Sequence, residues 1–216
     1  VPAALSNDEV NAAYNSFSIA QTGKDLSGQP WFKAILFTPL NYTMTEFLAV
    51  FASPWIKIFG LSISTTRSWY VFVGLGTIIL TYILCLQLTK KRTVALTASL
   101  LLAIYPWHIM MSRVGYDGIP ALFFLLLGTI TFLKYENRKQ LLSIAPFILS
   151  FHTYHAFKIL VIPYLICLLL YKWKYQQRKI LLTAPLTLTI LWIAIYTPFF
   201  LSSSSAMSRL SEVQGS

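Results

Sequence analysis

Long apolar runs separated by short basic loops constrain this chain more than any other feature. Apolar stretches cover residues 69–88, 94–111, 119–133, 141–151, 159–170 and 180–200, and none of them contains an acidic residue. Only 11% of the chain is charged against 56% hydrophobic, whereas a soluble domain carries about 25% charged residues. The runs approach the length needed to cross a hydrocarbon core, about 20 residues of helix. The fold class that follows is all-α, a polytopic transmembrane helix bundle.

The net charge of +10 could suggest a nucleic-acid partner, but its distribution argues against one. Ten of the seventeen Lys and Arg lie in three short loops, 90–92, 134–139 and 172–179. That is the positive-inside pattern, which places these loops in the cytoplasm. By parity, 1–67, 112–118, 152–158 and 201–216 face the other side, and six of the seven acids (Asp8, Glu9, Asp25, Glu46, Asp117 and Glu212) fall there. Three regions are expected: an extracytoplasmic loop of amphipathic juxtamembrane helices (1–67), a bundle of about six spans (68–200) and an extracytoplasmic tail (201–216). Val1 is not an initiator Met, and the chain reads as part of a longer one. Cys85 and Cys167 lie inside apolar runs and read as packing residues.

The polar first loop opens on Ser6-Asn7-Asp8-Glu9. Ser6 and Glu9 have the S-x-x-E spacing of a capping box, and an acid such as Asp8 favours a helix N-terminus. Adjacent carboxylates just outside a bilayer are equally suited to accept a proton, so both readings stand. Val10, Ala13, Tyr14 and Phe17 repeat at helical spacing, which predicts an amphipathic helix ended by Gly23. Residues 24–30 read as a turn. Thr43-x-x-Glu46 is a second capping box, opening a helix over 47–59 with Pro54 inside and Gly60 as its stop. That helix is short for a span and reads as lying in the membrane interface, with Trp31 and Trp55 as anchors, a tilted span being the alternative.

Asn7-Asp8-Glu9, Ile58-Phe59-Gly60, Arg67, Pro106 with Ser112-Arg113, Tyr116-Asp117 and Tyr154-His155-Ala156-Phe157-Lys158 occur in this order along the chain. Together they resemble the polyprenyl-phosphate-dependent glycosyltransferases of the GT-C superfamily, in particular protein O-mannosyltransferases and lipid A aminoarabinose transferases. The chain resembles the N-terminal half of such enzymes. The resemblance implies a donor sugar on a polyprenyl phosphate and an acceptor hydroxyl or amine on a lipid, glycan or protein at the extracytoplasmic face. It implies an integral protein of a bacterial or archaeal cytoplasmic membrane, its site facing outward.

In that chemistry the phosphate leaves as a stable anion, so the demands are a carboxylate base for the acceptor's proton and cations for the phosphate. Asp8 is the expected base, with Glu9 orienting it or the acceptor, and a single displacement inverts the anomeric carbon. Arg67, Arg113 and Lys158 stand at outer ends of spans, where a lipid-linked phosphate would lie; a snorkelling interface cation is the plainer reading of each. Tyr116, Tyr154 and His155 complete the expected substrate-binding set. Asp117 either caps the next helix or joins the site. No cofactor is required, and a divalent metal is an open alternative without a D-x-D to hold it. His108 and His152 read as interfacial hydrogen-bonding residues. A transporter or flippase for a lipid-linked substrate, or a non-catalytic scaffold binding lipid-linked sugars, are the other readings. A transporter keeps charged residues near the bilayer midplane, whereas here the charges cluster at the rims.

Overall fold

The computed structural model describes residues 5–32, 46–135 and 137–176. Among them are eight α-helices and one 3-10 helix. Thr43, the run 180–200 and the tail 201–216 lie outside the described residues, as do the expectations placed on them. The chain divides into two compact units with a boundary between Thr65 and Thr66.

In the unit before that boundary, α1 (Asn7–Thr22) packs on α2 (Glu46–Phe59). The capping box is present: the Ser6 N–H donates to Glu9 Oε2 at 2.8 Å, and Ser6 Oγ accepts from the Glu9 N–H at 3.2 Å. Gly23 ends α1 in the left-handed region at φ 70°, its N–H bonded to the Ile19 carbonyl at 2.9 Å. The buried face differs from the expected stripe. Ala13 is buried with Glu9, Asn15, Ser16 and Ile19, whereas Tyr14 and Phe17 are 55% and 36% exposed. Small Ala13 and Ser16 lie on this buried face, and the Asn15 side chain is used elsewhere. Asn15 Oδ1 accepts from the Leu26 N–H at 3.1 Å, pinning the 24–30 turn to the helix. Inside that turn the buried Asp25 accepts from the Gln29 N–H at 2.7 Å and from Ser27 Oγ at 2.9 Å. Helix α2 carries Pro54 and stops at Gly60, φ 76°, as the sequence predicts.

The boundary falls within the first turn of α3 (Ile63–Thr89). Lys90, at φ 58°, turns the chain into α4 (Arg92–Ile104). The span expected over 94–111 is broken. Helix α4 ends at Tyr105, and α5 (Pro106–Arg113) leaves at an angle of 58°. Pro106 has no N–H to extend the ladder of α4 and is pre-set for the first position of a new helix, so the bend has a local cause. After the turn at 114–117 come α6 (Gly118–Lys134), a 3-10 helix (Asn137–Ser143), α7 (Ile144–Thr153) and α8 (His155–Gln176). The apolar run 141–151 therefore begins as 3-10 and becomes α-helical only at Ile144.

Cross-helix contacts give the direction of each element in this unit. His108 meets Thr77 and Ser112 lies against Gly74, so α5 runs antiparallel to α3. Phe123 lies against Gly76, just beyond the α5–α6 turn, so α6 returns parallel to α3. Helix α7 is antiparallel to α6, with Phe147 on Gly128 and Ser150 Oγ donating to the Ala121 carbonyl at 2.8 Å. Helix α8 is parallel again: Tyr154 meets Tyr116, and Tyr164 meets Thr129 at 2.6 Å. The alternation gathers Lys90-Lys91-Arg92, Lys134 and Lys174 at one end of the unit. Arg113, Tyr116, Asp117 and Tyr154 collect at the other.

Phe132, Phe147, Val161 and Leu165 form the fully buried centre around α6. A Cβ at Gly128 would sit 2.7 and 2.8 Å from ring carbons of Phe147, and a completely buried ring has little room to move. Gly128→Ala is therefore expected to destabilise the unit by about 1–3 kcal/mol through overpacking, lowering the unfolding midpoint in detergent. An unchanged midpoint would mean that α6 and α7 do not meet at this position.

Among the described residues α3 is long and apolar enough to cross a membrane, and the bent α4–α5 pair passes the same test if counted as one span. Leu48–Phe59, Gly118–Lys134 and Ile159–Tyr171 are shorter apolar helices. Outward faces are greasy: Phe72 and Ile79 on α3, Leu100 and Ile104 on α4 and Ile159 on α8 are 55–79% exposed. Apolar area on this scale is a liability in water and suits contact with acyl chains.

Candidate active site

The expected site residues divide between the two units. Asp8 is exposed in the first turn of α1. Glu9 is buried, and its carboxylate closes the capping box, holding the turn that carries Asp8. Cap and acid thus coexist in one turn: Ser6 and Glu9 do the capping, which leaves the Asp8 carboxylate at the surface. Arg67 is half-buried in the second turn of α3.

The remaining residues build a rim where α5 ends and α6 and α8 begin. Arg113 is the exposed last residue of α5. Gly115 at φ 64° reverses the chain, and the Tyr116 ring folds back over the start of α6. It fits there because residue 118 is glycine: a Cβ at Gly118 would be 2.5 Å from Tyr116 Cε1. The Tyr116 and Tyr154 hydroxyls hydrogen-bond to each other across 38 positions of sequence, with the rings edge to face at 5.2 Å between centroids. Phe157 continues the aromatic group, 6.2 Å from Tyr154. Asp117 stands at the N-cap position of α6, yet its side chain makes no capping hydrogen bond. Of its two expected roles, capping is the one the geometry leaves unfilled.

Burial first, then the hydrogen bond to Tyr154 and the electrostatic influence of Tyr154 and Asp117, push the Tyr116 hydroxyl up to about 12. Tyr116 is therefore a neutral hydrogen-bonding group near pH 7 and no proton acceptor. His155 opens α8 and Lys158 follows in its first turn; the side chains of both lie outside the described residues.

His108 and His152, which the sequence reads as interfacial hydrogen-bonding residues, are both buried, and a third buried polar residue, Gln140, had no counterpart in that reading. The His108 ring is 6% exposed and pairs with Thr77 Oγ1 at 2.8 Å, so it joins α3 to α5. His152 is also buried, edge to face with Phe151. Gln140, fully buried, donates to the Phe132 carbonyl at 3.0 Å and closes the end of α6. For Gln140 the only signal available was a lone polar residue beside an apolar run. Among the described residues no three His, Cys, Asp or Glu gather as a metal ion would require.

The family model for dolichyl-phosphate-mannose-protein mannosyltransferase matches residues 24–151, more than half of the chain. The chain belongs to this family. No curated protein and no solved structure matches it. The mannosyltransferase family is a polytopic membrane family of the GT-C class, which accounts for the greasy outward faces of α3, α4 and α8. Within the mannosyltransferase match lie Arg67, Arg113, Tyr116 and Asp117; Asp8 and Glu9 precede it, and Tyr154, His155 and Lys158 follow it.

Proposed function

We propose that the protein transfers mannose from dolichyl phosphate mannose to a hydroxyl of a protein acceptor at the extracytoplasmic face of a membrane, inverting the anomeric carbon. The family match over residues 24–151 carries this reading. Its chemistry needs little acid assistance, because the lipid phosphate departs as an anion. Asp8 takes the acceptor's proton, and Glu9, locked in the capping box, fixes the turn that presents it. Arg67 and Arg113 hold the phosphate, Arg67 through the two-pronged contact a guanidinium makes with an anionic oxygen pair. Lys158 and His155, at the start of α8, add to the same rim. The experiment that tests the reading is mannosyl transfer from purified dolichyl phosphate mannose to an acceptor peptide by the enzyme in membranes. Release of dolichyl phosphate without peptide labelling would sink it.

The topology belongs to the same proposal: a first loop over 1–67, about six spans over 68–200 and a tail over 201–216, with the basic loops in the cytoplasm. The gathering of Lys90-Lys91-Arg92, Lys134 and Lys174 at one end of the helical unit supports it, since cytoplasmic loops carry the excess of Lys and Arg. In a background with Cys85 and Cys167 replaced, a cysteine at Ser27 or Ser203 is expected to react with an impermeant thiol reagent from the extracytoplasmic side. A cysteine at Gln176 is expected to react only after permeabilisation. Reaction at Gln176 from the extracytoplasmic side would invert the orientation and place the site in the wrong compartment.

A further inference from the structure

We infer that His108 and Thr77 are positioning residues for the donor phosphate: their hydrogen bond sets where α5 lies against α3, and with it the place of Arg113. The inference rests on the phosphate role given to Arg113 in the proposed function and names what aims it. Helix α5 has eight residues and inherits little direction from the helix before it. Pro106 has no N–H to continue the ladder of α4, the two helices diverge by 58°, and Tyr105 makes no side-chain cap. The face that α5 turns inward is its polar one. His108 and Ser112, four residues apart on one side, are buried, whereas Trp107, Ile109 and Met110 are exposed. In a membrane family those outward apolar side chains meet acyl chains at little loss, so polar pairing rather than apolar burial chooses how this helix is seated.

The seat has two points on α3, about one turn apart. At the first, Ser112 stands over Gly74: a Cβ there would lie 2.5 Å from Ser112 Oγ and 2.9 Å from Ser112 Cβ. No larger residue would leave room for α5 at this approach. The Ser112 hydroxyl itself is used within α5, donating to the His108 carbonyl at 2.8 Å. At the second point, the single proton of the fully buried Thr77 hydroxyl is committed to the Gly74 carbonyl at 2.6 Å. Thr77 Oγ1 therefore accepts from the His108 ring at 2.8 Å, and Nε2 carries the hydrogen. That bond fixes an angle as well as a distance. Arg113 follows Ser112 directly, as the exposed last residue of α5. A slide or roll of α5 on this seat carries the guanidinium with it, and a bidentate contact to phosphate tolerates little misplacement.

The test is equilibrium binding of dolichyl phosphate to the detergent-purified full-length enzyme. Thr77→Val and His108→Phe each remove the bond while keeping the shape of the side chain closely. Both are expected to weaken binding about three- to tenfold, the scale of one hydrogen bond. Thr77→Ser keeps the hydroxyl and should stay within about twofold of wild type. His108→Phe leaves the Thr77 proton on the Gly74 carbonyl, so it strands no donor and carries the measurement if Thr77→Val does not fold. The deciding arm is the double-mutant cycle with Arg113→Ala. In that background neither substitution should weaken binding further, because the group they aim is gone. The same loss recurring there would make the bond a general support of the helical unit and overturn the inference. Wild-type affinity in both single variants, or in Arg113→Ala itself, would overturn it too. A protein that shows this coupling yet transfers no mannose would count against the proposed transferase activity and leave the positioning role standing.

Discussion

Asp8→Asn, made in the enzyme in its native membrane, is expected to lower mannosyl transfer by about 10²–10⁴-fold, the usual effect of removing a general base. The structure makes this substitution cleaner than the sequence promised. Capping of α1 is performed by Ser6 and Glu9, so the Asn variant leaves every capping bond in place. What it removes is an exposed first-turn charge facing the positive end of the helix, which contributes less than about 1 kcal/mol. Expression and thermal stability should therefore stay near wild type while transfer collapses. The contrasting variant is Ser6→Ala, which deletes the cap and keeps the acid. It should cost about 1 kcal/mol of stability and leave a larger share of activity than Asp8→Asn. If Asp8→Asn transfers mannose at the wild-type rate, Asp8 is only a favourable first-turn charge and the base lies elsewhere.

Arg67→Ala carries the second large effect, directed at the donor. A hydrogen bond to a charged group contributes about 1.5–3 kcal/mol, so loss of the guanidinium should raise the KM for dolichyl phosphate mannose roughly 10–100-fold. Affinity for dolichyl phosphate should fall by the same factor, because the contact is to the phosphate they share. Arg67→Lys restores the charge but not the two-pronged geometry, and only part of the affinity should return. A normal KM in Arg67→Ala, with dolichyl phosphate binding intact, would leave Arg67 a cation at the membrane interface.

The parts legible in the sequence are those with local causes. The Ser6–Glu9 spacing predicts the capping box, and Gly23 and Gly60 predict the helix ends, because each effect acts within four residues of its origin. Apolar runs bounded by Lys and Arg predict the alternation of helices, since a chain passing back and forth through one layer returns its basic loops to one end.

Tertiary structure decided what depends on partners far along the chain. Periodicity marks Val10, Ala13, Tyr14 and Phe17 as one stripe, yet the face that becomes buried when α1 packs is the one carrying Ala13, Ser16 and Ile19. In a membrane family an aromatic left outside loses less than it would in water, so hydrophobicity alone does not choose the buried face. The break at Tyr105 shows how one proline overrides an apolar run long enough to read as a single helix. Phe147 against Gly128, and the Tyr116 hydroxyl against that of Tyr154, join residues far apart in sequence. No pattern within either segment announces its partner, because contacts at that range exist only after the helices have packed.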